Sequence, residues 1–301
     1  MNELSFKTDM EFSYGEAREL MPGIVRIVAN NPSVFTFKGT NTYILGSDEL
    51  CVIDPGPEDA AHFDAIMAYA GGRTISTIAI THTHRDHIDG LKRLADATGA
   101  RVCGYGRSAA NRGAAGAHPR TTEFIEASFV PDQTLVDGDT INGPGWTLDA
   151  LFTPGHAPDH LCFYHREGNV LFSGDHVMGW NTTVVAPPEG SMAQYMASLQ
   201  KLVGRPDDVF FPGHGGRIAE PQRMVRGYMV HRQWREQAIL GAIRDGHTTI
   251  SEIVALVYKG LDDRLINAAS LSVQAHVDHL IEKKLVSSEG PTSFSSKLAA
   301  V

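Results

Sequence analysis

Thr81–Gly90 reads THTHRDHIDG, and this stretch decides how the rest of the chain is understood. It sets three histidines and two aspartates within ten residues, directly after the apolar run Ile75–Ile80 (ISTIAI). In an extended segment, side chains two apart point the same way, so His82 and His84 converge on one centre. Asp86 and His87 follow as the chain coils into a helix expected over Ile88–Ala97, which Gly99 ends. Adjacent residues diverge in direction, which places His87 at a second centre rather than the first. Imidazole nitrogens and carboxylates are what borderline metals such as zinc bind. A lone histidine is more often a packing residue. Five ligand-capable side chains in eight positions, at the end of a strand-like run, reverse that reading and mark a metal site.

Around this cluster, strands are expected at Ile24–Ala29, Asn41–Leu45, Leu50–Asp54 and Arg101–Tyr105, with a helix over Asp59–Ala70 closed by Gly71-Gly72. The alternation argues for an α/β layered fold. Residues 106–120, GRSAANRGAAGAHPR, read as a mobile loop whose arginines can meet an anionic substrate, although solvated surface arginines are the ordinary case.

Three further stretches repeat one design: Ala150–His156 (ALFTPGH), Val170–Asp175 (VLFSGD) and Val209–His214 (VFFPGH). Each is an apolar strand, a small or cyclic residue, a glycine, and a ligand-type side chain. Glycine permits the turn and lets backbone approach a crowded centre. Four strand ends carrying His or Asp in one chain imply that they meet at one edge of a sheet. The ligand count then fits two divalent metals, zinc first, with iron or manganese as alternatives. His82, His84 and His156 hold one ion, Asp86, His87 and His214 the other, and Asp175 bridges them. Asp54 stands at another strand end, balanced between an acceptor for a ligand histidine and an ordinary turn aspartate before proline. His160 and His165 read as packed or surface histidines rather than as support for His156.

The chain has 301 residues, 42% of them hydrophobic and 20% charged, which suits a globular protein with a sizeable core. Its net charge of −9 does not advertise a surface built as a whole for nucleic acid or anionic membranes. No apolar stretch reaches a membrane span of about 18 residues, and MNELSFKTDMEF has no apolar signal core. Cys51, Cys103 and Cys162 are far apart and outside any C-x-x-C spacing, so buried reduced thiols in a cytoplasmic protein are expected.

Asp54, the H-x-H-x-D-H run of residues 82–87, His156, Asp175 and His214 together resemble the metallo-β-lactamase superfamily, in its order and with similar spacings. The resemblance spans roughly residues 20–220. It implies an αββα sandwich, two packed β-sheets with helices outside and the metals at one sheet edge. Asp175, where many true metallo-β-lactamases have cysteine or serine, is similar to the glyoxalase II and ribonuclease Z branches. The stretch FSGDHVMGWNTTVVAPPEGSMAQYMASLQKL and His231–Leu240 (HRQWREQAIL) resemble the beta-lactamase-like protein 2 group, some members of which are endoribonucleases. The Trp180–Gly190 loop is then expected to border the site, with Ser191 capping the next helix.

The chain divides into a catalytic domain, 1–222, and a C-terminal domain, 223–301. The latter should contain a helix over about Gln222–Arg244, a capping box at Thr249–Glu252, and a helix over about Leu271–Lys284. That last helix puts Val273, Val277, Leu280 and Ile281 on one face, and LVSSEGPTSFSSK supplies a two-stranded wing. The whole resembles a winged-helix unit. It carries ten Lys/Arg and eight Asp/Glu, net +2, leaving −11 for the rest, a contrast that suits either nucleic-acid contact or a structural role.

The expected activity is metal-dependent hydrolysis, in which metal-activated hydroxide attacks an ester, thioester, lactone or phosphodiester and Asp86 orients the nucleophile and takes its proton. The substrate is a small molecule or a nucleic acid. An iron-dependent sulfur dioxygenase-like enzyme and a nucleic-acid-binding protein with a structural metal are the competing classes.

Overall fold

The computed structural model describes residues 4–106, 126 and 128–301. The loop expected at 106–120 lies outside the described residues, apart from Gly106. Strands β1 (Arg18–Met21), β2 (Ile24–Val28), β3 (Asn41–Leu45), β4 (Glu49–Ile53), β5 (Thr74–Ala79), β6 (Arg101–Gly104) and β7 (Gln133–Thr134) form one sheet in chain order. Its first pairings, through β3–β4, are antiparallel, and those from β4 onward are parallel. The second sheet has the order β12-β11-β10-β9-β8, from β8 (Thr140–Gly143), β9 (Trp146–Phe152), β10 (Leu161–His165), β11 (Val170–Gly174) and β12 (Val209–Pro212).

Period-two alternation explains how the sheets stack. Cys51 and Ile53 of β4, Leu161 and Phe163 of β10, and Val170 and Phe172 of β11 enter the core between the sheets, closed by Trp146 and Phe211. Their neighbours face outward. Leu50 and Val52 pack with helices α1 (Ala60–Ala70), α2 (Arg85–Ile88) and α3 (Leu91–Thr98). Cys162 and Leu171 pack with α4 (Met192–Leu202) and α5 (Pro221–Arg244). The result is the αββα sandwich. Cys51, Cys103 and Cys162 are free and buried.

The helix starts follow their caps. Asp59 accepts from Ala61 and His62 N–H at the start of α1, and Ser191 accepts from Gln194 N–H at the start of α4. The single helix expected over Ile88–Ala97 is instead two, α2 and α3, separated at Asp89-Gly90. A Cβ on Gly90 would lie 3.0 Å from the carbonyl oxygens of Pro55 and Pro57. The helical path therefore yields to close packing against the loop after β4.

At the C-terminus, α6 (Ile250–Val257) begins with the full Thr249/Glu252 capping box, and α7 (Ile266–Glu282) starts five residues earlier than expected. β13 (Val286–Ser288) pairs antiparallel with β14 (Leu298–Ala300), so the wing's second strand falls just beyond the expected segment. Val273, Val277 and Leu280 are buried, while Ile281 is only half-buried. The 24-residue α5 serves two cores: Val225 and Tyr228 pack under the second sheet, and Ile239, Leu240 and Ile243 join α6, α7 and the wing. Among the described residues, no helix is long and apolar enough to cross a membrane.

Candidate metal centre

The strand ends converge at the seam between the two sheets. His82 and His84 follow β5, Asp86 and His87 lie at the start of α2, and His156, Asp175 and His214 follow β9, β11 and β12. The donor atoms fall into three overlapping triads: His82/His84/His156, His82/His87/Asp175 and Asp86/His87/His214. Within each triad all donors lie within 4.8 Å of one another. All seven residues named from the sequence are thus brought together, and Asp175 stands between the two outer triads.

Ring orientation is fixed from behind. His87 Nδ1–H donates to Asp54 Oδ2 at 2.8 Å, His156 Nδ1–H to the Val184 carbonyl at 2.6 Å, and His214 Nδ1–H to the Gly39 carbonyl at 3.2 Å. His82 Nδ1–H donates to Thr81 Oγ1 at 3.0 Å, and Thr81 Oγ1–H donates in turn to Asp54 Oδ2 at 2.7 Å. Each of these four rings therefore turns its Nε2 inward, and the neutral tautomer with the proton on Nδ1 is the one a metal needs. His84 offers Nδ1 instead, 2.9 Å from His82 Nε2 and 3.0 Å from His156 Nε2. Three lone pairs at that spacing repel unless a cation or proton lies among them.

Electrostatics point the same way. Burial lowers His82 well below its usual range and His84 to about 3, helped by the neighbouring rings. Burial also disfavours charge on His87 and His214, yet Asp86 and Asp175 outweigh it, raising His87 well above its usual value and His214 to about 9. Burial acts to raise Asp86 and Asp175 too, but His87 and His214 hold both carboxyls below the ordinary range. The two carboxylates call for positive charge between them. Asp175 Oδ1 is buried without a hydrogen-bond partner, and a Cβ on Gly213 would sit 2.4 Å from it. Inward lone pairs, an unsatisfied carboxylate oxygen and a cradle only glycine allows all fit divalent cations.

Asp54 supports His87 and Thr81 at once, with Thr81 N–H donating to its Oδ1 at 2.8 Å and a backbone φ of +52°. Of its two sequence readings, the acceptor role is the one the structure displays. His160 is fully buried, and its Nε2 accepts the Asp175 N–H at 3.1 Å. It was expected among packed or surface histidines; it is packed, and it also supports Asp175. Its place four residues after His156 was the available signal. His165 is buried away from the donors, beside Glu167. Thr40, whose hydroxyl donates to Asp86 Oδ2 at 3.0 Å, carries no sequence signal, since a lone threonine before a strand has no spacing to mark it.

Two loops adjoin the donor set. The 180–190 loop carries Val184 and Trp180, and Trp180 stacks on Phe37 with ring centroids 4.8 Å apart. The 30–39 loop, tied to the site through Gly39 and Thr40, exposes Val34 and Phe35.

The sequence matches the metallo-beta-lactamase superfamily over residues 35–214 and the beta-lactamase associated winged helix domain over residues 249–293. It is 33% identical to a beta-lactamase-like protein 2 homolog of Drosophila melanogaster, over 87% of this chain and 88% of that protein. It is 34% identical to an atrochrysone carboxyl ACP thioesterase of Aspergillus fumigatus, over 76% of this chain and 68% of that one. A solved beta-lactamase domain protein from Burkholderia ambifaria has the same fold, with a TM-score of 0.82 at 21% identity, covering 97% of this chain and 96% of that one.

Proposed function

The chain belongs to the metallo-beta-lactamase superfamily, and from that membership and the donor geometry we propose that it is a two-metal hydrolase of acyl thioesters or esters. The observation that carries the reading is the overlap of three donor triads at the seam, with His84, Asp86 and His156 partly exposed. His82, His84 and His156 would hold one ion, Asp86, His87 and His214 the other, and Asp175 would reach both. Zinc suits this nitrogen-rich set best. When bound, such a pair supplies Lewis acidity and makes water a nucleophile at neutral pH.

The chain's own residues do the rest. Asp86 is 29% exposed against 10% for Asp175, so it is the carboxylate open to an attacking water. With Thr40 fixing its Oδ2, Asp86 orients that water and accepts its proton. Val34 and Phe35 offer an apolar face to an acyl group, beside the stacked pair of Trp180 and Phe37. The thioesterase named among the relatives supports acyl chemistry. A second reading, phosphodiester cleavage, is favoured by the winged-helix match.

Metal-analysed protein should be assayed on an acyl-N-acetylcysteamine thioester, a p-nitrophenyl ester, a lactone, a β-lactam, bis(p-nitrophenyl) phosphate and single-stranded RNA. We expect thioester or ester turnover that chelation abolishes and zinc restores. Turnover of the phosphodiesters alone would move the assignment to the second reading. Protein carrying two metals that turns over none of them would refute the proposal.

A further inference from the structure

The segment His231–Leu240, HRQWREQAIL, lies on α5 outside the donor set, yet it reaches toward it. Arg232 is 3% exposed, and among the described residues it has no carboxylate partner. Its guanidinium donates to the Thr183 carbonyl and lies over the Tyr195 ring, 5.3 Å from the centroid. A buried cation without an anion is costly, and it persists where other contacts hold it in place. Here those contacts converge on one short loop.

Thr183 Oγ1 donates to the Asp175 carbonyl at 2.8 Å and the His176 carbonyl at 3.2 Å. The next residue, Val184, supplies the carbonyl that receives His156 Nδ1–H. Tyr195, under the guanidinium, donates its hydroxyl to the same His176 carbonyl at 2.7 Å. Arg232 thus ties down the residue that holds Asp175 from one side and adjoins the holder of His156 on the other. One turn further along α5, Arg235 donates to the Val257 carbonyl at the end of α6. Glu236 pairs with Lys283 at 2.8 Å and His279 at 2.9 Å, anchoring the end of α7.

We propose that Arg232 is a positioning residue that, through Thr183 and its neighbour Val184, sets the orientation of Asp175 and His156. This rests on the reading of the seven side chains as metal donors. Loss of a group bonded directly to a ligand typically weakens metal affinity about 10–100-fold, and Arg232, one contact further out, is expected at the lower end of that range.

The test uses the full chain, stripped and titrated with Co²⁺, followed by its visible absorption and by circular dichroism. Wild type should take up two equivalents. Arg232→Met should bind the more weakly held Co²⁺ at least about 10-fold less tightly with an altered visible band, and Arg232→Lys should recover part of both. Thr183→Val, which keeps volume but removes the hydroxyl, should reproduce the Arg232→Met spectrum. Arg235→Met, one turn away, should leave cobalt binding unchanged. A merely structural Arg232 would lower the melting temperature while folded protein kept the wild-type cobalt affinity and band, and that result overturns the proposal. If both Arg232 variants fail to fold, a wild-type spectrum in Thr183→Val overturns it instead. Wild type that binds no cobalt would sink the metal reading itself, and the proposal with it.

Discussion

Gly213→Ala strikes the geometry of the donor cluster harder than the stability of the fold. The added Cβ would stand 2.4 Å from Asp175 Oδ1 and 2.7 Å from His87 Cε1, where ordinary contact begins at 3.4 Å. Relief therefore needs a movement of about 1 Å at the carboxylate and about 0.7 Å at the ring. Metal-to-ligand distances tolerate only about 0.2 Å, so neither donor can keep its place. A misplacement of about 1 Å costs on the order of 10²-fold in turnover. The backbone conformation itself allows alanine, although the Gly174 carbonyl carbon would lie 3.3 Å from the Cβ, a tight contact. Gly213 is outside the positive-φ glycines, and its N–H to the Gly174 carbonyl and its carbonyl to Asn41 N–H, both 2.8 Å, survive the change. Removing a glycine even restricts the unfolded chain, by about 0.4–1 kcal/mol. Overpacking a buried site costs about 1–3 kcal/mol against that gain, so we expect stripped protein to stay folded with a modestly lowered melting temperature, while bound metal is reduced and turnover falls about 10²-fold. Metal content after dialysis, thermal circular dichroism and initial rates decide it. Two tightly held ions with wild-type turnover in this variant would refute the reasoning.

Other perturbations separate the remaining roles. Asp86→Asn should lower turnover by at least about 10²-fold in protein whose metal content, measured in the same preparation, is unchanged. Glu236→Gln addresses pH: burial works against the charged form, but His279 and Lys283 hold Glu236 at about 2, below its ordinary 4.5. That stabilisation is complete above about pH 4.5 and is lost as pH falls toward about 2. The variant should lose on the order of 2 kcal/mol at neutral pH, with a flatter acid branch in urea titrations. Thr249→Ala removes half of the capping box and should cost about 1 kcal/mol in urea unfolding. Charge reversal at Lys284 with RNA as substrate tests the tail's basic surface, whereas Lys283 is unsuited because it is paired with Glu236.

The donor cluster was legible because each donor is written in a local code. His82 and His84 share a period of two, and His156, Asp175 and His214 each follow a strand and a glycine. What holds those donors was mostly not legible, since the partners are far away in the chain. Thr40 finds Asp86 across 46 residues and Arg232 finds Thr183 across 49. The break between α2 and α3 was hidden for the same reason. Gly90 sits in a helical pattern at a cost of only about 1 kcal/mol, and the carbonyls that bend the chain there belong to Pro55 and Pro57. The sandwich itself came from family resemblance, because alternation identifies strands without saying how sheets stack.

The two sheets are each made from one contiguous stretch of the chain, residues 18–134 and 140–212, and this sets a schedule for biosynthesis. The first sheet is complete by Thr134, with four of the donors already out on its edge at residues 82–87. Their counterpart His214 is still 127 residues from His87, and the seam is closed by Asn41, whose side chain donates to the carbonyls of Pro212 and Gly215. At 5–20 residues per second, the donors at 82–87 wait about 6–25 s for His214 to be made, and the completed first sheet about 4–16 s. During this interval its histidines and aspartates face the ribosome's surroundings without their partners. A captured ion at this stage would have only half its ligands, so correct loading belongs after release of the seam strand, late in synthesis rather than early.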